Sequence, residues 1–303
     1  MRFGLTTPVV TLVPRTHAGW EIAAGPDELR QIATTADRLG YDYLSCSEHV
    51  AIPRAVAEVR GGRYYEPAAT LGYVAAMTRS IRLLTHVIVL PYHHPLEVAK
   101  RYGTLDRLSN GRVILGVGVG SLEPEFRLLG ADFAGRGPRY EDALRALRAA
   151  LGRREPAYRG THYEFADVIV DPCAVQTRLP IWIGGRSARS LRRALELADG
   201  WDPFGLSFET LAALLARARE WPQWGARREP FDIVLTPETP LQLDEPARVV
   251  DTLAAYARIG ATAMNLRFVH HSLAHYLELL DQFAGEIRSM YAAAEGRSGT
   301  RRP

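Results

Sequence analysis

Residues Ile81 to Pro95 read IRLLTHVIVLPYHHP. Apolar residues run through this stretch without the in-and-out alternation of a half-exposed strand, so it reads as a strand buried on both faces, as parallel sheets require. His86 stands in the middle of the run. A histidine buried among Ile, Leu and Val needs a hydrogen-bond partner or a ligand, because an unpaired ring nitrogen there costs about 1–3 kcal/mol. The run closes on Pro91-Tyr92-His93-His94-Pro95, where the two histidines end the strand and Pro95 suits the first turn of a helix. His93 and His94 lack the spaced partners that would specify zinc.

The same strand-then-helix unit recurs on both sides. Strands are expected at Arg2–Thr6, around Tyr43, at Ile81–Val89, Arg112–Gly118 and Ile181–Gly184, near Trp201, at Asp232–Leu235 and at Ala263–Phe268. Helices are expected over Asp27–Leu39 and Pro95–Leu108, from Glu123 and from Pro138, and over Ser187–Ala198, Phe208–Arg219, Pro246–Ile259 and Ser272–Arg288. In the first of these, Leu29, Ile32, Ala33, Ala36 and Leu39 share one face and Gly40 supplies the stop. Eight apolar strands alternating with helices predict an α/β fold, a (β/α)8 TIM barrel with insertions. A doubly wound sheet is the alternative, but it ordinarily carries a glycine fingerprint after its first strand, where this chain reads TTPVVTLVP. Two insertions interrupt the repeat: Val50–Glu66, and Glu155–Arg178, whose GTHYEFADVIVDP reads as a small hairpin. One domain over residues 1–303 is expected, with a flexible tail over 296–303.

Composition narrows the function. With 47% hydrophobic and 23% charged residues the chain can bury a large core, and a net charge of +3 gives no argument for nucleic acid. The basic residues are arginines except for Lys100, a skew that carries no partner meaning by itself. Two cysteines, Cys46 and Cys173, make no disulfide framework, and Cys46 lies in an apolar run where it packs as a small hydrophobe. There is no signal-peptide pattern and no apolar stretch of membrane-spanning length, so a cytoplasmic protein without membrane partners is expected.

Three motifs bear on chemistry. In PIWIGGRSARSLRRALELADGW, from Pro180 to Trp201, a strand runs into Gly184-Gly185, and Ser187 can cap the next helix. Free amides at that helix start, with Arg186 and Arg189 beside them, suit a phosphate; a plain glycine turn is the alternative. In NGRVILGVGVGSLEPEF, Gly116, Gly118 and Gly120 alternate on one strand face, either clearing space for something flat or relieving crowding at a barrel end. In LSCSEHVAIP, a strand ends in Ser47, Glu48 and His49, polar residues that would face a pocket, and histidine can give or take a proton near neutral pH. No metal site and no Gly-x-Ser-x-Gly elbow is present, and Cys46 has no activating partner, so hydrolysis ranks low.

In this order and spacing, LGYDYLSCSEHV, the run from Ile81 through LGVGVG, and LPIWIGGRSARSLRRALELADGW resemble the bacterial luciferase-like superfamily, particularly its coenzyme F420-dependent oxidoreductases. The resemblance covers nearly the whole chain. It implies a homodimeric (β/α)8 barrel that binds a deazaflavin or flavin at the carboxyl ends of its strands. It also implies a non-proline cis peptide in the third strand, by position His86-Val87, although the family often has Gly, Ser or Cys where this chain has His86. The implied catalytic residue is His49; by position, Glu48 at the strand end and Tyr64 and Tyr65 in the first insertion are further pocket candidates. Cofactor contacts are implied for Glu48, Thr85, His86, Val87, Gly118, Gly120 and Ser121, and for the phosphate turn Gly184, Gly185, Arg186, Ser187 and Ala188. Sugar-phosphate dehydrogenases of this group have a glutamate where this chain has Ser121, and a tryptophan after the histidine that is missing here, so their particular activity is not expected. The expected function is hydride transfer between F420 and a small organic substrate. An FMN-dependent monooxygenase using reduced flavin and oxygen, and a flavin-binding protein without catalysis, are the alternatives.

Overall fold

Tyr43, Leu84, Ile114, Trp182, Val234 and Ala263 meet in one apolar cluster, although they lie on six different strands. Only a sheet curled onto itself brings so many strands to one interior. The computed structural model, which describes residues 1–299, shows that closure. Its strands are β1 (Arg2–Leu5), β2 (Tyr43–Cys46), β3 (Arg82–Thr85), β4 (Val113–Gly118), β5 (Ile181–Gly184), β6 (Gly200–Asp202), β7 (Asp232–Leu235) and β8 (Ala263–Leu266). Each pairs in parallel with the next, and β8 returns to β1 with Arg2 opposite Ala263 and Leu5 opposite Leu266. The fold is therefore a (β/α)8 barrel, and every strand ends on the same rim.

The barrel interior changes character along its axis. At the amino end Arg2 bridges Asp232 and Asp42, and Arg82 also pairs with Asp42. The apolar cluster fills the middle, where the Tyr43 ring occupies the space a side chain at Gly4 would need. Toward the carboxyl end the lining turns polar: the Tyr43 hydroxyl donates to Asn265 Oδ1 (2.7 Å), and Asn265 Nδ2 donates to Asp202 Oδ1 (2.8 Å) and Thr236 Oγ1 (3.2 Å). Outside, helix Pro26–Arg38 buries Leu29, Ile32, Ala33 and Ala36, as its spacing predicts.

Several elements depart from expectation. Helix Pro67–Met77 is absent from the sequence reading because PAATLGYVAAM is apolar on nearly every side and shows no stripe; its start signal is Glu66, whose carboxylate accepts the Ala69 amide (2.6 Å). The final helix runs over Leu273–Gln282, passes through a π turn at Phe283–Ile287 and continues as Arg288–Gly299. It thus occupies the first part of the expected tail, whose residues 300–303 lie outside those described. The hairpin of the second insertion pairs Tyr158–Arg159 with Glu164–Phe165, starting two residues before the segment that suggested it.

The expected strand Ile81–Val89 is interrupted at His86-Val87, and its continuation Ile88–Val89 pairs with β4. Leu84 lies opposite Ile114 and Ile88 opposite Val117, so four steps on one strand match three on the other. That extra residue is a bulge. Gly116 faces it, with the Thr85 carbonyl oxygen 1.9 Å from where a Cβ would stand. Gly116→Ala is expected to cost about 1–3 kcal/mol, by forced displacement of packed backbone. Urea denaturation would show a lower midpoint at an unchanged slope; an unchanged midpoint would refute the packing argument.

Candidate active site

The three residues that follow β2 go to three different neighbours. Ser47 Oγ donates to the His86 carbonyl (2.8 Å). Glu48 turns beneath the rim, where its carboxylate accepts the Val89 amide (2.6 Å) and lies 2.8 Å from His93 Nε2. His49 turns the other way, with Nδ1 2.6 Å from Glu125 Oε2. His94 caps the helix that starts at Pro95, its Nδ1 accepting the Leu96 amide. Both histidines before Pro95 are thus absorbed by structure.

Glu125, in the short helix Glu123–Leu128 after β4, is the residue that the sequence reading missed. Its carboxylate is fully buried and accepts the amides of Val50 (2.7 Å) and Ala51 (3.1 Å) and the Tyr92 hydroxyl (3.1 Å), besides facing His49. Burial pushes the Glu125 carboxyl up, but hydrogen bonds from His49 and from the Ala51 and Val50 amides outweigh it and hold the group below its ordinary value. An ionised carboxylate only accepts, so Nδ1 of His49 carries the proton in this contact and Nε2 is the basic nitrogen of the neutral ring. Tyr64 from the first insertion packs edge-on against His49 (4.6 Å between centroids), its own hydroxyl donating to the Arg60 carbonyl. Tyr65 packs against the core instead. Ser121 is exposed and accepts a long hydrogen bond from Arg60 (3.4 Å). The carboxylate near the histidine therefore comes from Glu125, four residues beyond Ser121.

Beside this pair lies the bulge. The His86-Val87 peptide is cis. The His86 amide donates to Cys46 O (2.7 Å), and the Val87 carbonyl accepts the Glu48 amide (3.3 Å). Thr85 is buried below, donating to Gly116 O (2.8 Å). The Val87 side chain lies between β4 and β5, where a Cβ on Gly118 would come within 2.7 Å of it and one on Gly184 within 3.0 Å. At Gly120 the space is taken by Phe126 and Val89. Of the two readings left open for the alternating glycines, crowding by the protein's own chain is the one observed. His86 itself points to Asp202, with Nε2 3.3 Å from Oδ2.

The turn after β5 supplies a cradle on the same rim. Gly185 has φ +117° and packs against Ser190, where a Cβ would come within 2.9 Å. Ser187 caps helix Ala188–Leu197 by accepting the Ser190 amide (3.2 Å), and Ser190 Oγ also accepts Trp201 Nε1 (3.1 Å). Arg186 and Arg189 are exposed beside the helix start, where the two serine side chains take the Ser187 and Ser190 amides and the amides of Ala188 and Arg189 have no intrahelical acceptor. Ala188 is the first helical residue. These donors, this charge and the absence of side chains at Gly184 and Gly185 fit a phosphate group. Among the described residues no group of three or more His, Cys, Asp or Glu could hold a metal ion, and no helix is long and apolar enough to cross a membrane.

A closed barrel with an interrupted third strand, a histidine–carboxylate pair after β2 and an anion cradle after β5 defines a class of rim-site (β/α)8 proteins. The family described as luciferase-like monooxygenase matches residues 1–300, and the chain belongs to it, among oxidoreductases. An uncharacterised protein of Mycobacterium tuberculosis is 30% identical over 201 residues, 66% of this chain and 69% of that protein. The fold is similar to that of the coenzyme F420-dependent tetrahydromethanopterin reductase of Methanopyrus kandleri, with a TM-score of 0.70 at 15% identity over 96% of this chain and 99% of that one. It is also similar to that of a type II Baeyer-Villiger monooxygenase of Pseudomonas putida solved with FMN, the oxygenating constituent of 3,6-diketocamphane monooxygenase. There the TM-score is 0.72 at 15% identity, over 95% and 98% of the chains.

Glu125→Ala would strand two amides and a hydroxyl, so a loss of about 2–4 kcal/mol is expected. The folded carboxyl titrates below its unfolded value. Its stabilisation is thus complete above the unfolded pKa and is lost as pH falls through the folded one. Glu125→Gln should accordingly flatten the acid side of the stability–pH curve, and an acid limb identical to wild type would contradict the assignment.

Proposed function

We propose that this protein is an oxidoreductase that transfers a hydride between an F420-type deazaflavin and a small organic substrate, with His49 handling the accompanying proton. The observation that carries the reading is the His49–Glu125 contact at 2.6 Å, on the same rim as the Gly184–Ser187 cradle. When bound, the deazaflavin would supply the carbon centre that accepts or gives the hydride. The chain's own residues would do the rest. The cradle amides, Arg186 and Arg189 would hold the phosphate end, and the Val87 bulge would support the ring. His49 would take a proton on Nε2 when a substrate hydroxyl is oxidised and return it in the reverse direction. Glu125 would keep Nδ1 protonated and stabilise the imidazolium that forms. Tyr64 and the first insertion cover His49 and limit water around it.

The same cradle would accept FMN, and the family's description favours that monooxygenase reading. Parallel titration with F420 and FMN separates the two, following tryptophan fluorescence, because Trp201 is hydrogen-bonded to Ser190 directly behind the cradle. Tighter binding of F420 and turnover without oxygen are expected. Tighter binding of FMN with strictly oxygen-dependent turnover would overturn the deazaflavin reading, and any turnover rules out storage alone.

His49→Ala should lower kcat by about 10²-fold or more while cofactor affinity changes little, since general acid–base groups typically contribute that much. Unchanged kcat would remove His49 from the chemistry. Arg186→Ala should weaken cofactor binding about tenfold, with a smaller dependence on salt than wild type, measured by the same fluorescence titration.

A further inference from the structure

His86 is not needed to hold the bulge, whose bonds run through the backbone and through Ser47 and Glu48. Its side chain does something else. Asp202 is fully buried at the end of β6 and, among the described residues, receives one hydrogen bond, from Asn265 on Oδ1. Its other oxygen, Oδ2, faces His86 Nε2 at 3.3 Å without hydrogen-bond alignment, and both atoms are buried with no hydrogen-bond partner among those residues. A buried carboxylate with one donor calls for a facing cation. Among the described residues Asp202 is the charge that acts on the imidazole. Behind Asp202 the bonded network is neutral: Asn265 from β8, with Thr236 from β7 and Tyr43 from β2. Burial pushes the His86 imidazole down, and the Asp202 charge more than reverses this. Within the pair the carboxylate is sealed, whereas 12% of the imidazole side chain is accessible. The positive member is the one that reaches outward.

We propose that His86, backed by Asp202, is a specificity-determining cation in the floor of the site that favours an anionic heteroaromatic ring over the neutral one. The inference rests on the redox reading above. A hydride brings two electrons and one proton to a neutral ring, which then carries one negative charge until it is protonated. His86 keeps its proton, forms no bond to the ring and offsets that charge electrostatically. The pair therefore favours the ring in its hydride-bearing form.

The test has two parts. In the ligand-free protein, NMR titration of labelled histidine should show His86 protonated above the ordinary histidine range, and Asp202→Asn should return it toward or below that range. A neutral His86 in the wild type overturns the proposal. In the second part, affinities for oxidised and anaerobically reduced cofactor are compared by fluorescence. His86→Gln should weaken binding of the reduced form about tenfold and change that of the oxidised form less than twofold. Equal effects on both forms, or none, would reduce His86 to packing. Should His86→Gln not fold with Asp202 left unpaired, the double variant His86→Gln, Asp202→Asn removes both charges and gives the same comparison. A wild type that binds neither flavin nor deazaflavin would sink the redox reading itself. Binding whose preference for the reduced form is unchanged in the variants would sink this inference alone.

Discussion

The organisation of the rim follows from one geometric constraint, the extra residue that β3 carries against β4 between Leu84 and Ile88. An added residue reverses the in-and-out order of everything after it. His86, two residues past the inward-facing Leu84, keeps to the interior by ordinary alternation, Val87 is left between β4 and β5, and Ile88 turns to the outer core. The neighbouring strands must make room, and they do so with Gly116, Gly118 and Gly184, each of which has the bulge where its side chain would be. The polar end of β2 then serves the same displacement: Cys46, Ser47 and Glu48 bind successive backbone groups of the interrupted strand. His49 is the first residue past this clamp, and its position at the rim is inherited from it.

Buried carboxylates organise the loops in a consistent way. Glu21 accepts the amides of Val9 and Ala18, Asp106 accepts those of Val175 and Gln176, and Glu125 those of Val50 and Ala51. In each case a carboxylate on a regular element fixes an irregular segment, and several donors compensate its desolvation. Asp202 breaks the pattern. Among the described residues it ties down no loop and has a single hydrogen-bond donor, which is why its pairing with His86 reads as something other than scaffolding.

Much of this was legible in the sequence. Strand and helix alternation, the apolar character of the strands and the Ser187 cap are local patterns, and local patterns survive in one dimension. The misplaced polarity of His86 also marked it as a residue needing a partner. The partner was not legible: Asp202 lies in another barrel strand, and closure alone brings the two together. Glu125 escaped for a related reason. It sits in a short stretch of exposed acidic sequence beside Glu123, and its burial depends on Val50 and Ala51 in a separate insertion folding over it. The alternating glycines were visible, but whether the cleared space holds a ligand or the protein's own chain depends on a bulge in the neighbouring strand.

The site thus divides its electrostatics between two histidines with opposite surroundings. His49 faces a carboxylate that also accepts two amides and a hydroxyl. His86 faces a carboxylate with little else to balance it, so its proton is needed where it is and would be costly to give away. A proton that is held suits a fixed field. Barrel, cradle and His49–Glu125 pair are compatible with either deazaflavin or flavin chemistry. The fixed charge at His86 bears on a different variable, the charge state of whichever ring lies above it.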